Sequence, residues 1–190
     1  MASNIAIKLG VGIASAGAIG GAGYGIYSYN NTTDTVQSYL EKNNFVVIKQ
    51  SEQDLWNKSY EAYKFEKTSD LTITPDNSEG IKAWCNTALN KTIKSKTEID
   101  YTGATKLCVR FETIKDKLSK ELEQTVTKLN GKLDLFTTSI QEEIKKINAE
   151  EGQNKVGTQI QKWCAENSKR RNSTENKPYL DDIRKNCLTA

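Results

Sequence analysis

The chain contains no histidine, and its charges form no concentrated patch. Each absence excludes a class of function. Without imidazole there is no Ser-His-Asp or Cys-His relay, and no metal site that needs a histidine ligand. Lys and Arg number 27 against 24 Asp and Glu, a net charge of +3 with the signs well mixed. That is not the basic face of a nucleic-acid binder, so nucleic acid is not expected as a partner. Proline is scarce, at two residues, and Lys, Asn and Ile are abundant. The codons of those three residues are A/T-rich, a bias that an A/T-rich genome would also produce.

Chemical signatures are missing too. No phosphate-binding loop, dinucleotide fingerprint or calcium loop occurs, and no Cys-x-x-Cys pair is present to set a zinc site or a redox centre. Adjacent carboxylates stand at Glu142-Glu143, Glu150-Glu151 and Asp181-Asp182. Neighbours on a helix point in different directions, so these read as solvated helix surface rather than acid/base pairs. No catalytic residue, cofactor or metal is expected.

From Leu9 to Tyr29 no residue is charged. A membrane-spanning helix needs about 20 predominantly apolar residues, so one pass fits, with contact to the membrane over residues 5–29. The stretch is rich in Gly and Ala, which lowers helix propensity and hydrophobicity. Gly17-x-x-x-Gly21-x-x-x-Gly25 lines small residues on one face, where a second copy could approach closely and form a homo-oligomer. Tyr24, Tyr27 and Tyr29 gather at the outer end, as in an aromatic belt. Three readings fit: an uncleaved anchor, a signal peptide cut near Ala14-Ser15-Ala16, and a soluble Gly-rich segment. The length favours the anchor over a signal peptide. Lys8 precedes the stretch, which places the N-terminus in the cytoplasm and the rest outside. The expected location is the cell membrane, single-pass, with secretion as the alternative.

The remainder repeats itself. Ile81-Lys82-Ala83-Trp84-Cys85 is echoed by Ile160-Gln161-Lys162-Trp163-Cys164, and each is followed by one more cysteine, Cys108 or Cys187. Both pairs are offset by 79 (164 − 85 and 187 − 108). Upstream, Asp54-Leu55-Trp56 matches Asp134-Leu135-Phe136 at an offset of 80 (136 − 56). The chain therefore divides into an anchor at 1–30, a first Trp-Cys repeat at 31–112 and a second at 113–190. Trp56, Trp84, Phe136 and Trp163 are expected as structural core anchors, since large aromatics on apolar helix faces usually are.

The expected fold class is mainly α: an N-terminal transmembrane helix, then a helical domain of two disulfide-stapled repeats. Leu107, Phe111, Ile114, Leu118, Leu122, Val126, Leu129 and Leu133 recur every three or four residues. That spacing predicts one long amphipathic helix, interrupted at Gly131 and continued through Phe136, Ile140, Ile144 and Ile147. Asp76 or Ser78 is placed to cap the first Trp-Cys helix, and Pro178 to open the last helix. Phe45–Ile48 and Leu71–Thr74 read as short strands. The polar runs 90–98 and 167–177, including Lys169-Arg170-Arg171, read as solvated loops between paired helices. An even cysteine count with matched spacing predicts bridges Cys85–Cys108 and Cys164–Cys187, one in each repeat.

This pattern resembles the large paralogous families of short, uncharacterised membrane proteins of haemotropic mycoplasmas. The Gly/Ala-rich start, Val36-Gln37-Ser38-Tyr39-Leu40, Phe45-Val46-Val47-Ile48, Asp54-Leu55-Trp56 and the Ile-x-x-Trp-Cys units carry the resemblance. It extends over nearly the whole chain, and it departs at Phe136, where tryptophan is expected. The resemblance implies a wall-less bacterium whose exported domain faces the host, and it supplies no catalytic residue. The expected function is a surface-exposed, membrane-anchored, non-enzymatic protein for host interaction or antigenic display, with an unknown host or envelope protein as partner. The alternative is a secreted or envelope-associated enzyme or transport accessory.

Overall fold

The computed structural model describes residues 34–67, 71–93 and 95–190. The expected anchor at 1–30, its membrane contact over 5–29 and its Gly-rich pairing face all lie outside these residues. The described residues form eight α-helices: α1 Val36–Lys42, α2 Gln53–Glu66, α3 Ser78–Leu89, α4 Ile99–Leu107, α5 Val126–Leu129, α6 Thr138–Lys145, α7 Lys155–Asn167 and α8 Lys177–Asn186. Short 3-10 turns occupy Lys115–Lys117 and Leu133–Leu135. The chain is thus mainly helical. Among the described residues no helix is long and apolar enough to cross a membrane.

Helix placement follows the apolar spacing. In α3, Ile81, Cys85, Ala88 and Leu89 are buried, the positions of one helical face. Its cap is Asn77, whose side chain accepts from the Gly80 amide at 3.0 Å. Ser78 is already helical, and Asp76 is engaged by Lys67 at 2.6 Å instead. Pro178 lies in the first turn of α8, where a missing N–H costs nothing. Phe45–Ile48 is extended, with Ile48 buried and Val46 exposed, but it makes only an isolated bridge, Val47 to Val109.

The long helix predicted between the two Trp-Cys units does not form. α4 ends at Leu107, and the chain runs mostly extended to Thr125, broken by the first 3-10 turn. Distant partners claim its backbone. The Cys108 carbonyl accepts from Ile48 N at 2.9 Å, and Arg110 N donates to Val46 O at 2.8 Å. Ile114 N donates to Arg170 O at 2.9 Å, and Glu123 N donates to Cys187 O at 2.7 Å. With these groups committed to distant partners, the i→i−4 ladder is broken at each of these positions. Apolar residues spaced by three or four therefore serve two different cores: Leu107 and Val109 the first, Ile114 and Leu129 the second.

Those cores are separate in sequence. One gathers buried residues from Val36 to Val109, the other from Ile114 to Cys187. Their backbone pairings run in parallel. Val36 N→Lys91 O and Ile93 N→Asp34 O in the first have counterparts in Ile114 N→Arg170 O and Asn172 N→Glu112 O. Ile48 N→Cys108 O and Arg110 N→Val46 O have counterparts in Glu123 N→Cys187 O and Thr189 N→Glu121 O. The offset is 75 at the inner strand (123 − 48) and 80 at the next aromatic (136 − 56). The second half is therefore longer at this point, and the short helix α5 lies in the added length.

The run 167–177 is not the solvated loop that its composition suggests. Asn167, Ser168, Arg171 and Asn176 are buried. The Arg171 guanidinium lies 3.6 Å from the centre of the Phe111 ring, and its Nε donates to Glu66 at 3.0 Å. Both side chains are nearly enclosed, at 11% and 13% exposure. Arg170 stacks 4.5 Å from the Phe65 ring, and Lys169 reaches Glu61 at 3.2 Å. Lys58 completes the seam by pairing with Asp116 at 2.6 Å. The basic cluster clamps the second half onto helix α2 of the first.

Two measurements check this clamp. Replacing Arg171 with Met leaves Glu66 enclosed without its partner, and should destabilise the fold by about 3–5 kcal/mol in denaturant melts. Removing Glu66 as well, as Glu66→Leu with Arg171→Met, should recover most of that loss. The second measurement is acid titration. Burial pushes the Glu61 carboxyl up, but hydrogen bonds from Lys64 and Lys169 outweigh it and leave the group below its ordinary 4.5. Burial likewise pushes the Asp116 carboxyl up, but hydrogen bonds from Lys58 and Thr113 outweigh it and leave the group below its ordinary 3.8. Depressed folded-state values contribute stability above the unfolded values, and that contribution is lost as pH falls through the folded ones. The melting temperature should therefore drop as pH falls below about 4.5, and Asp116→Asn should make that drop shallower.

Candidate functional site

The four cysteines pair as their spacing predicts. Cys85 bonds Cys108 with alpha carbons 5.6 Å apart, and Cys164 bonds Cys187 at 6.0 Å. Local structure sets this up twice. The first cysteine of each pair is buried on the inner face of its Trp-Cys helix, α3 or α7. The second caps the following helix, its amide donating to Ala104 O or Ile183 O at 3.0 Å. Each bridge thus ties a helix middle to a helix end. Closing a loop of 23 residues contributes about 3 kcal/mol in the chain-entropy picture.

The aromatic residues beside these bridges behave differently in the two halves. Trp56 is fully buried and donates its indole N–H to Lys49 O at 3.0 Å. Phe136, its counterpart, is buried at the edge of Trp163, with ring centres 5.4 Å apart. Trp163 is 1% exposed and closed in on both sides. Tyr179 stacks on it at 6.0 Å, and Arg170 covers Tyr179 in turn at 3.7 Å. Glu143 accepts from the Trp163 N–H at 3.0 Å and from the Tyr179 hydroxyl at 2.8 Å. Burial pushes the Tyr179 phenol up, and its bond to Glu143 adds to the shift.

Trp84 is not enclosed in this way. It is half-buried at the margin of the first core and lines an open groove of about 350 Å³. Its indole lies over helix α4 at Gly103, where a Cβ would come within 2.4 Å of the ring. Gly103 is therefore required for this placement. Its counterpart at the 79 offset is Asp182, whose carboxylate is occupied with the Thr137 amide and hydroxyl at 3.2 and 3.0 Å. Two further positions differ. Arg170 and Tyr179 of the second half correspond to Lys91 and Asp100 of the first. The stacked lid over Trp163 is replaced over Trp84 by an ion pair, Lys91 Nζ to Asp100 Oδ2 at 2.9 Å.

The carboxylates read as solvated are of two kinds. Glu151 is exposed, whereas Glu143 and Asp182 are committed to the second core. Among the described residues no group of acidic or cysteine side chains is arranged to hold a metal ion. Lys91, Asp100 and Gly103 were not singled out from sequence, although aligning the halves at 79 sets them against Arg170, Tyr179 and Asp182. No family model, curated protein or solved structure matches this chain.

The pairing generates a direct test. Cys85→Ser should leave Cys108 as a free thiol while Cys164–Cys187 stays intact in a non-reducing peptide map. Reduction of both bridges should lower the melting temperature with the helical circular-dichroism signal retained. A Cys108–Cys164 or Cys108–Cys187 crosslink in the variant would contradict two independent staples.

Proposed function

We propose that the chain is a single-pass, membrane-anchored protein whose two stapled repeats, 31–112 and 113–190, stand outside the cell and act by binding rather than by catalysis. The observation that carries this reading is the cysteine usage. All four thiols are consumed in two buried bridges. Such bridges persist in oxidising compartments, which supports export. The uncharged stretch Leu9–Tyr29 supplies the means of tethering. The resemblance to paralogous membrane proteins of haemotropic mycoplasmas supports a role at the host-facing surface, in adhesion or antigenic display.

Protease treatment of intact cells tests the location. Trypsin added outside should remove epitopes in both repeats while a cytoplasmic control protein survives. Repeats protected until lysis would overturn surface display. Sequencing the mature N-terminus separates tethering from release: a start between Ala16 and Tyr24 would make the product secreted.

A further inference from the structure

We propose that the groove over Trp84 is a docking seat for a tyrosine side chain presented by a partner polypeptide. The inference rests on reading the chain as a binding protein, and it names the site and the chemistry recognised there. The molecule contains its own reference, because the second half holds the corresponding tryptophan in a completed state. Tyr179 stacks on Trp163, and its hydroxyl donates to the carboxylate that also takes the indole N–H.

In the first half no ring stacks on the tryptophan, and the Lys91–Asp100 ion pair stands in place of the lid. Asp100 stands where Tyr179 would be, and Trp84 lines the groove beside it. The indole N–H of Trp84 donates to no protein group among the described residues, whereas those of Trp56 and Trp163 are both satisfied. Gly103 gives the ring a bed that no larger residue allows. The groove, near 350 Å³, is at the lower end of the range for ligand pockets, about 300–1,000 Å³. It suits one side chain with its flanking backbone better than a large cofactor. Both Asp100 oxygens accept from Lys91 Nζ at 2.9 Å, and the lone pairs that remain can take a phenol hydroxyl entering the groove. Lys91, half exposed on the rim, holds the Asp100 carboxylate in the groove. An aromatic ring seated on a tryptophan with its hydroxyl satisfied is the usual form of an interface anchor.

The test uses the full-length chain labelled with nitrogen-15 at tryptophan, and follows the three indole N–H resonances. N-acetyl-tyrosinamide is the probe, compared with N-acetyl-phenylalaninamide, N-acetyl-leucinamide and glucose. The Trp84 resonance, assigned by Trp84→Phe, should move with the tyrosine probe and saturate, while those of Trp56 and Trp163 stay still. The phenylalanine probe should bind more weakly, and leucine and glucose should leave the resonance in place. Lys91→Arg combined with Asp100→Tyr places the stacking pair of the second half beside Trp84, and should weaken probe binding by about tenfold or more. No movement with the tyrosine probe, or a stronger response to glucose, would overturn the proposal. So would unchanged binding in a folded double variant; should that variant not fold, the ranking of probes on the native chain decides alone. The titration reads binding wherever the repeats reside. Protected repeats in intact cells would therefore sink surface display and leave the seat standing, and an unresponsive Trp84 would do the reverse.

Discussion

Each half of the molecule hangs on one covalent tie between the middle of a Trp-Cys helix and the residue that ends the next helix. A half of this size buries too little apolar surface to rely on its core alone, so the tie bears heavily on its stability. Its position matters as much as its energy. Because Cys108 and Cys187 are both bridged and C-terminal to a helix, the chain leaving them is fixed in direction. The carbonyls of both residues then receive an amide from the inner extended segment of the same half, Ile48 or Glu123. Helix end, bridge and short backbone pairing form one knot, built twice.

The segment between the knots explains why two small units make a continuous structure. Residues just after Cys108 still pair with the first half, through Arg110 and Val46. Glu112 and Ile114 already pair with the second, through Asn172 and Arg170. Little slack remains between the two, so the halves must pack closely. The surfaces that meet are charged and aromatic rather than aliphatic. Arg171 between Phe111 and Glu66 combines cation–π stacking with an enclosed ion pair. One of its terminal nitrogens, Nη2, has no hydrogen-bond partner among the described residues. The seam is therefore more specific than it is strong, since enclosed charges contribute register at a desolvation cost that hydrophobic packing would avoid.

Much of this was legible in the amino-acid sequence, and the failures have physical causes. Equal cysteine spacing disclosed the bridges, because a duplicated unit carries its own complete pair. Pro178 disclosed a helix start, because few other positions tolerate it. The run Leu107–Leu133 misled, because spacing by three or four shows only that apolar residues recur. It does not show that a single helix face collects them, and here two cores divide them. The loop Lys169–Arg171 misled for the opposite reason. Its composition is that of solvent-exposed chain, while the groups that bury it, Phe111, Glu61 and Glu66, are remote in sequence. The groove had a signal that composition could not give. Only a position-by-position comparison of the two halves sets Asp100 against Tyr179.

That comparison bears on how a duplicated scaffold divides its work. In the second half the indole and the phenol both donate to Glu143, and the Arg170 guanidinium stacks on Tyr179. Such a network rigidifies because each member is satisfied by the others. In the first half the same backbone carries Lys91, Asp100 and Gly103. These keep Trp84 in place and leave its N–H and part of its ring uncommitted. Closing that seat from within would require a stacked ring such as Tyr179 and a carboxylate such as Glu143 to hold the indole and the phenol. Leaving it open forgoes buried aromatic area and an indole hydrogen bond, a loss of stability that packing alone does not explain. An open seat on a stapled frame is the arrangement expected where recognition, not stability, determines the residue.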